Sequence, residues 1–166
     1  MELRAYRESD AEAVVSWVEN ERTYYMWCAG LIGVWPVTAE MLNARMRAYP
    51  NDVPLVLEDA DGPAGFACLF RPDGEREAVR LGFVILDEKK RGRGLGRGLA
   101  ERAVGYARDR LCAKRATLCA FRNNPAARRC YASVGFVEAP GDARPDFEAL
   151  GESWERVEME IDLTRK

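Results

Sequence analysis

Five cationic residues and four glycines share the ten positions Lys89-Lys90-Arg91-Gly92-Arg93-Gly94-Leu95-Gly96-Arg97-Gly98. An apolar run, Leu81-Gly82-Phe83-Val84-Ile85-Leu86, precedes them. Behind them Leu95, Leu99, Ala103 and Tyr106 fall near one line, with Ala100, Val104, Ala107 and Leu111 beside it, the pattern of an amphipathic helix. A buried strand that runs through a glycine-rich turn into a helix start is the setting in which backbone N–H groups cradle phosphate. Glycines let the backbone approach closely, and the first-turn N–H groups have no partner inside the helix. The five cations add positive charge beside that end of the helix dipole.

The Walker spacing GxxxxGK[ST] is absent, and so is the dinucleotide fingerprint GxGxxG, because Leu99 stands where the third glycine would be needed. Arg91-Gly92-Arg93-Gly94-Leu95-Gly96 fits [Q/R]-x-x-G-x-[G/A] instead. That segment resembles the pyrophosphate loop of the GNAT acyltransferase superfamily, where acetyl-CoA binds. The rival readings are a solvated basic turn and an RGG-like RNA-binding segment. Net charge is −2 over 166 residues, so the cluster is a local positive patch on a mildly acidic chain. A compact anionic ligand suits it better than nucleic acid.

Composition bounds the remainder. Hydrophobic residues make up 48% and charged residues 31%, a globular balance with enough chain for one domain, residues 1–166. There is no histidine, which excludes histidine bases, Ser-His-Asp and Cys-His machinery and histidine-ligated metals. No metal is expected. Cys28, Cys68, Cys112, Cys119 and Cys130 are scattered without a CxxC and read as reduced thiols of a cytoplasmic protein. The opening residues are too charged for a signal peptide, and no apolar run is long enough to span a membrane.

Taken in order, Leu3–Arg7 reads as a strand, followed by a helix capped at Ser9 or Asp10 and running to about Glu19. The aromatic stretch Tyr24–Cys28, continuing to Trp35, has poor periodicity. It reads as irregular backbone, either core packing under a loop or the wall of an acceptor pocket built from Tyr24, Tyr25, Trp27 and Trp35. A second helix is expected over 39–49, strands over 53–58, 65–71 and 78–86 with turns at Asp61-Gly62 and Pro72-Asp73-Gly74, and a buried strand over 115–121. Asn124 followed by Pro125 opens a short helix that Gly135 ends. After a strand near 136–138, residues 139–152 read as a loop, and 154–163 as a closing strand with Val157, Met159, Ile161 and Leu163 on one side.

Asn124, Ala127 and Tyr131, at i, i+3 and i+7, line one stripe of the short helix, with about 10 Å between amide and phenol. The segment Asn124-x-x-Ala127-x-x-Cys130-Tyr131-x-x-x-Gly135-Phe136 resembles the second GNAT motif, with Cys130 where leucine is usual. An ordinary capped helix with a packed tyrosine is the alternative. Both motifs occur in family order, and the element order agrees with that family over nearly all of the chain.

The resemblance implies a single GNAT domain of α/β (α+β) type. Its mixed sheet of about seven strands, flanked by about four helices, would splay where acetyl-CoA lies. It implies an N-acetyltransferase that moves an acetyl group to a primary amine by direct attack; a non-catalytic CoA or acyl-CoA sensor is the alternative. The backbone of Phe83, Val84 and Ile85 would hold the pantetheine arm and polarise the thioester carbonyl. Arg91, Gly92, Arg93, Gly94, Leu95, Gly96 and Arg97 would hold the pyrophosphate. Asn124 would hydrogen-bond the pantetheine arm or a water, Ala127 would lie beside it in the cofactor site, and Tyr131 would protonate the departing sulfur. An acetyl-cysteine intermediate on Cys119 or Cys130 is a weaker option. Many relatives place a glutamate about eleven residues ahead of the loop's first arginine; here that position is Arg80, which cannot be a base. Glu77 and Glu75 are the nearby substitutes, each of which also reads, and more readily, as a plain surface carboxylate, beside proton loss through water. The acceptor is expected to be a small-molecule amine or a peptide or protein amine, with no nucleic acid, no membrane and self-association as a homodimer. The acidic stretch from Asp142 to Asp162, with the aromatic segment Tyr24–Trp35, reads either as a draw for a cationic amine or as a solvated acidic edge that keeps the last strand soluble.

Overall fold

The computed structural model describes residues 1–72, 74–140 and 144–165. Nine strands are found there: β1 Glu2–Ala5, β2 Val53–Asp59, β3 Gly62–Phe70, β4 Ala78–Leu86, β5 Arg115–Phe121, β6 Val137–Glu138, β7 Phe147–Ala149, β8 Glu152–Trp154 and β9 Arg156–Asp162. Five α-helices join them: α1 Ala11–Ser16, α2 Glu21–Cys28, α3 Ala39–Ala48, α4 Leu95–Leu111 and α5 Pro125–Val134. Seven strands form one sheet in the order β1-β2-β3-β4-β5-β9-β6, and β7 and β8 form a separate hairpin. All pairs are antiparallel except β4–β5, which is parallel and bridged by α4. The mixed α/β architecture is as expected, with five helices rather than four.

Apolar alternation puts a core on each face of the sheet. Leu55, Leu57, Leu69, Leu81, Leu118 and Met159 meet Leu99, Ala103 and Ala107 of α4 on one face. Val56, Phe66, Phe83 and Ile85 meet Val14, Trp27 and Leu42 of α1–α3 on the other. Leu99 has no exposure, so Leu99→Ala would cost about 2–5 kcal/mol.

Two expectations are corrected. The first helix stops at Ser16 rather than near Glu19, and α2 begins at Glu21. The aromatic stretch is therefore helical, not irregular. The Asn20 side chain accepts from Thr23 N at 2.9 Å and caps it. Tyr24, Trp27 and Cys28, at i, i+3 and i+4, are its buried stripe. Tyr25 and Met26 hid that periodicity because a second apolar cluster, around Phe121, Ala149 and Trp154, uses them too.

The expected loop over 139–152 contains strand β7 and runs into β8, and the expected closing strand over 154–163 is β9, which begins only at Arg156. Leu150 and Gly151, with φ of 53° and 74°, form the two-residue turn between β7 and β8. A leucine in that position and three-residue strands left little signal to read. Asp73 and Asp142, named among the turn and acidic residues above, lie outside the described residues.

Candidate active site

Parallel pairing of β4 with β5 extends over only three positions, Ala78↔Arg115, Val79↔Ala116 and Arg80↔Thr117. Beyond them the strands run on to Leu86 and Phe121 without pairing to each other, and the sheet opens. A cleft of about 390 Å³ occupies the mouth, lined among others by Trp27, Val84, Ile85, Arg91, Gly92 and Gly96. Asn124, Ala127, Cys130 and Tyr131 of the α5 segment line it as well. A smaller cavity of about 90 Å³ adjoins it through Trp27, Val84, Asn124, Ala127 and Tyr131, and reaches Phe83 and Cys119.

The glycine loop forms the outer wall. Gly94 is the N-cap of α4 with φ 71°, and Gly92 has φ 78°, conformations that side-chain-bearing residues adopt reluctantly. A Cβ at either would meet no atom within 4 Å, so open space lies before the loop. Gly96 is different: a Cβ there would sit 3.2 Å from Cys130 Sγ and 3.2 Å from Leu86 Cδ1, so its lack of a side chain lets α4 approach α5 and β4. Three of the five cations already have partners. Lys90 meets Asp59 at 2.8 Å, Arg97 meets Glu101 at 2.7 Å, and Arg91 pairs with Glu88. The main-chain donors at the helix start and the open face of the loop, with the cations behind them, suit a pyrophosphate.

On α5, Asn124 Oδ1 accepts from Ala127 N at 3.2 Å and caps the helix, so its amide nitrogen is the end left for other contacts. Gly135 ends the helix with φ 113°. Tyr131 is half-buried, its ring edge-on to Phe136 at 6.1 Å. Burial, with a smaller contribution from Cys130, raises the Tyr131 phenol well above its ordinary value, so it stays protonated. Burial also raises the Cys119 and Cys130 thiols, which disfavours either as a thiolate nucleophile.

The opening thus gathers Phe83, Val84, Ile85, Arg91, Gly92, Gly96, Asn124, Ala127 and Tyr131. Leu95 is buried in the core beneath the loop, Arg93 is exposed, and Arg97 turns to Glu101. Glu77 does not join them. It precedes β4, at the end of the strand away from the opening, and its carboxylate pairs with Lys114 at 2.6 Å. Glu75 pairs with Arg115 beside it. Among the described residues lining the two cavities there is no aspartate or glutamate. Arg80 pairs with Glu158, and the short contact of Arg144 with the same carboxylate makes a charge cluster on the α1–α3 side of the sheet.

Of the four aromatics expected in an acceptor wall, only Trp27 lines the cavities. Tyr24 is 1% exposed and donates its hydroxyl to the carbonyls of Ile32 and Gly33; burial pushes its phenol up to about 12. Tyr25 packs on Phe147 and Trp35 on Tyr24. Met26 and Thr23 of α2 face the cleft and were not anticipated, since α2 itself was not read as a helix.

A sheet that opens beside a glycine-rich helix start, with a protonated phenol lining the gap, is the arrangement that the acyltransferase resemblance of the sequence implies. The chain belongs to the acetyltransferase (GNAT) family, whose model matches residues 9–136. It is an acetyltransferase, and acetyl-CoA is the donor its class uses. No curated protein sequence matches it. Among solved structures it is similar to a spermidine N-acetyltransferase from Vibrio cholerae in complex with CoA and spermine, with a TM-score of 0.82, 21% identity, and 99% of this chain and 96% of that chain covered. A SpeG chimera from Vibrio cholerae and hSSAT matches with a TM-score of 0.80, 21% identity and the same coverage. No helix among the described residues is long and apolar enough to cross a membrane.

Proposed function

We propose that this protein transfers the acetyl group of acetyl-CoA directly to the primary amine of a small molecule. The observation that carries the reading is the three-position limit of β4–β5 pairing, which leaves a gap flanked by the glycine loop and the Tyr131 phenol. The loop from Arg91 to Gly96 would take the pyrophosphate through main-chain N–H groups. The pantetheine arm would lie along Phe83–Ile85 and the free end of the Asn124 amide. The neutral amine attacks the thioester carbonyl and the C–S bond breaks. Tyr131 gives its proton to the departing thiolate. With no carboxylate among the described residues that line the cavities, the amine's proton leaves through water.

The acceptor's charge is a separate question. The solved structures above are of spermidine acetyltransferases, which makes polyamines the first acceptors to try. The expected surplus of C-terminal carboxylates is largely paired here: Glu152 with Arg22, Glu155 with Arg122, Glu158 with Arg80 and Arg144, Glu160 with Arg115, and Asp162 with Arg165. Coulomb attraction is therefore weak support for a cationic acceptor. Scattered reduced thiols support a cytoplasmic location.

The test is release of CoA thiol from acetyl-CoA with a panel holding spermidine, a free amino acid, an aminoglycoside and a short peptide. Transfer to at least one amine is expected. Tight acetyl-CoA binding without transfer to any member would favour the sensor reading, to which the lack of a carboxylate among the described cavity-lining residues lends weight.

A further inference from the structure

The Trp27 indole of α2 donates to the backbone carbonyl of Phe83 at 2.8 Å, in a buried contact between residues 56 positions apart. The acceptor lies at an irregular point of β4. Cys68 pairs with Gly82 and Phe66 with Ile85, so β4 carries one residue more than β3 across this interval. Phe83 stands in that bulge with φ 52°, a left-handed conformation that costs a non-glycine residue about 1–2 kcal/mol. The bulge interrupts the alternation of faces. Leu81 packs with α4, and regular pleating would send Phe83 the same way; instead its ring joins the α1–α3 core. There it meets Phe70 edge-on at 4.9 Å and Trp27 at 6.4 Å, with the Arg45 guanidinium 5.4 Å from its centroid.

The bulge lines the opening, where Phe83 and Val84 bound the smaller cavity and Trp27 bounds both. A trans peptide is planar, so its C=O and N–H point in opposite directions. Drawing the Phe83 carbonyl toward the α2 indole therefore turns the Val84 N–H away from α2. We propose that Trp27 is a positioning residue, whose indole N–H holds the Phe83–Val84 peptide so that the Val84 N–H addresses the acetyl carbonyl. This rests on the acetyl-transfer reading and adds to it a residue on a distant helix. Without the indole bond the strained bulge can relax, and a donor displaced from the developing oxyanion loses transition-state stabilisation more than ground-state binding.

The test replaces Trp27 by 3-benzothienylalanine, which keeps the bicyclic shape and puts sulfur in place of the N–H, alongside Trp27→Phe. The analogue is expected to keep melting temperature within a few degrees and CoA affinity within about twofold, since the phosphate loop is untouched, while kcat falls at least tenfold, the scale of losing one oxyanion donor or somewhat less. KM for acetyl-CoA should move far less than kcat. A purely structural tryptophan would instead lower stability and kcat together, or neither; analogue protein with wild-type kcat overturns the proposal. The Trp27 indole N–H resonance of the wild-type protein supplies a readout independent of activity. Slow hydrogen exchange there is expected, and fast exchange would overturn the bond. Wild-type protein that binds acetyl-CoA and acetylates no amine would defeat the functional reading while leaving the slow indole exchange in place, so the two failures are separable.

Discussion

Arg80 and Glu158 are joined by two hydrogen bonds across the intervening strand β5, Nη1 to Oε2 at 2.9 Å and Nη2 to Oε1 at 2.6 Å. Arg80 occupies the position where the family resemblance would put a basic glutamate, and the Glu158 side chain is only 12% exposed. Arg144 contacts the same carboxylate, so two guanidinium groups engage Glu158, and Glu158 lines neither cavity. Its work is to tie β4 to β9 across β5 from the last paired position, Arg80↔Thr117. Glu158→Gln should destabilise the fold by about 1–3 kcal/mol, between the values for exposed and fully buried pairs. Urea denaturation measures this, and a change below about 0.5 kcal/mol would rule out the tie.

With no carboxylate among the described residues that line the cavities, the pH dependence of kcat/KM for the acceptor should follow the acceptor's own amine. The rate should rise with pH up to that amine's pKa, and two acceptors of different pKa should give correspondingly displaced curves. Glu77→Gln should leave the profile unchanged and kcat within about twofold, because Glu77 sits with Lys114 at the far end of β4. A limb that stays fixed when the acceptor is changed, and moves in Glu77→Gln, would restore Glu77 as the base.

Tyr131→Phe keeps the ring against Phe136 and removes the proton. kcat should fall by roughly 10²–10⁴ with CoA affinity nearly unchanged, measured by steady-state kinetics and calorimetry. Burial raises the phenol above its ordinary value, so deprotonation of Tyr131 should cause no fall in kcat below about pH 10. Wild-type turnover in the variant, with chemistry shown to limit the rate, would exclude Tyr131 as the acid.

At the loop, alanine and aspartate at Gly94 should behave differently. Gly94→Ala meets no atom within 4 Å and carries only the left-handed backbone cost, about 1–2 kcal/mol of stability. Gly94→Asp adds a negative charge facing the pyrophosphate and should weaken CoA binding by at least about tenfold beyond the alanine variant. Equal CoA affinity of the two variants by calorimetry would remove the pyrophosphate from this loop.

Gly96 should respond to packing rather than to ligand. Gly96→Ala puts a methyl 3.2 Å from Cys130 Sγ and should cost about 1–3 kcal/mol. Cys130→Ala opens that space, so the double variant should be more stable than the two single costs predict. A double-mutant cycle by thermal unfolding checks this, and strict additivity would mean the helices do not meet there.

Much of this was readable in the chain because local signals and tertiary demands agree. Strands β4 and β5 were placed to the residue, since an apolar run bounded by turns fixes both ends. Asn124, Pro125 and Gly135 marked the ends of α5 through capping chemistry that acts within a few residues. Tyr24 shows the limit: an aromatic near a glycine loop gives no sign of whether its hydroxyl meets ligand or the Ile32 and Gly33 carbonyls. The Trp27–Phe83 bond was equally hidden, because a bulge is a property of two paired strands and leaves no period in one of them. Glu77 misled because nearness along β4 is not nearness to the opening: strand residues advance about 3.3 Å each.

An ordinary open sheet has two edges. This one has four, because the early end of β4–β5 pairing gives each of these two interior strands an edge of its own. Its outer edges are short, four residues in β1 and two in β6, and so offer little to a neighbouring chain. The inner edges, Leu81–Leu86 of β4 and Leu118–Phe121 of β5, face each other within a cleft that residues of α2 and α5 line. The fold thereby keeps a row of main-chain donors and acceptors available for pairing without the aggregation hazard that such a row creates on the outside of a protein.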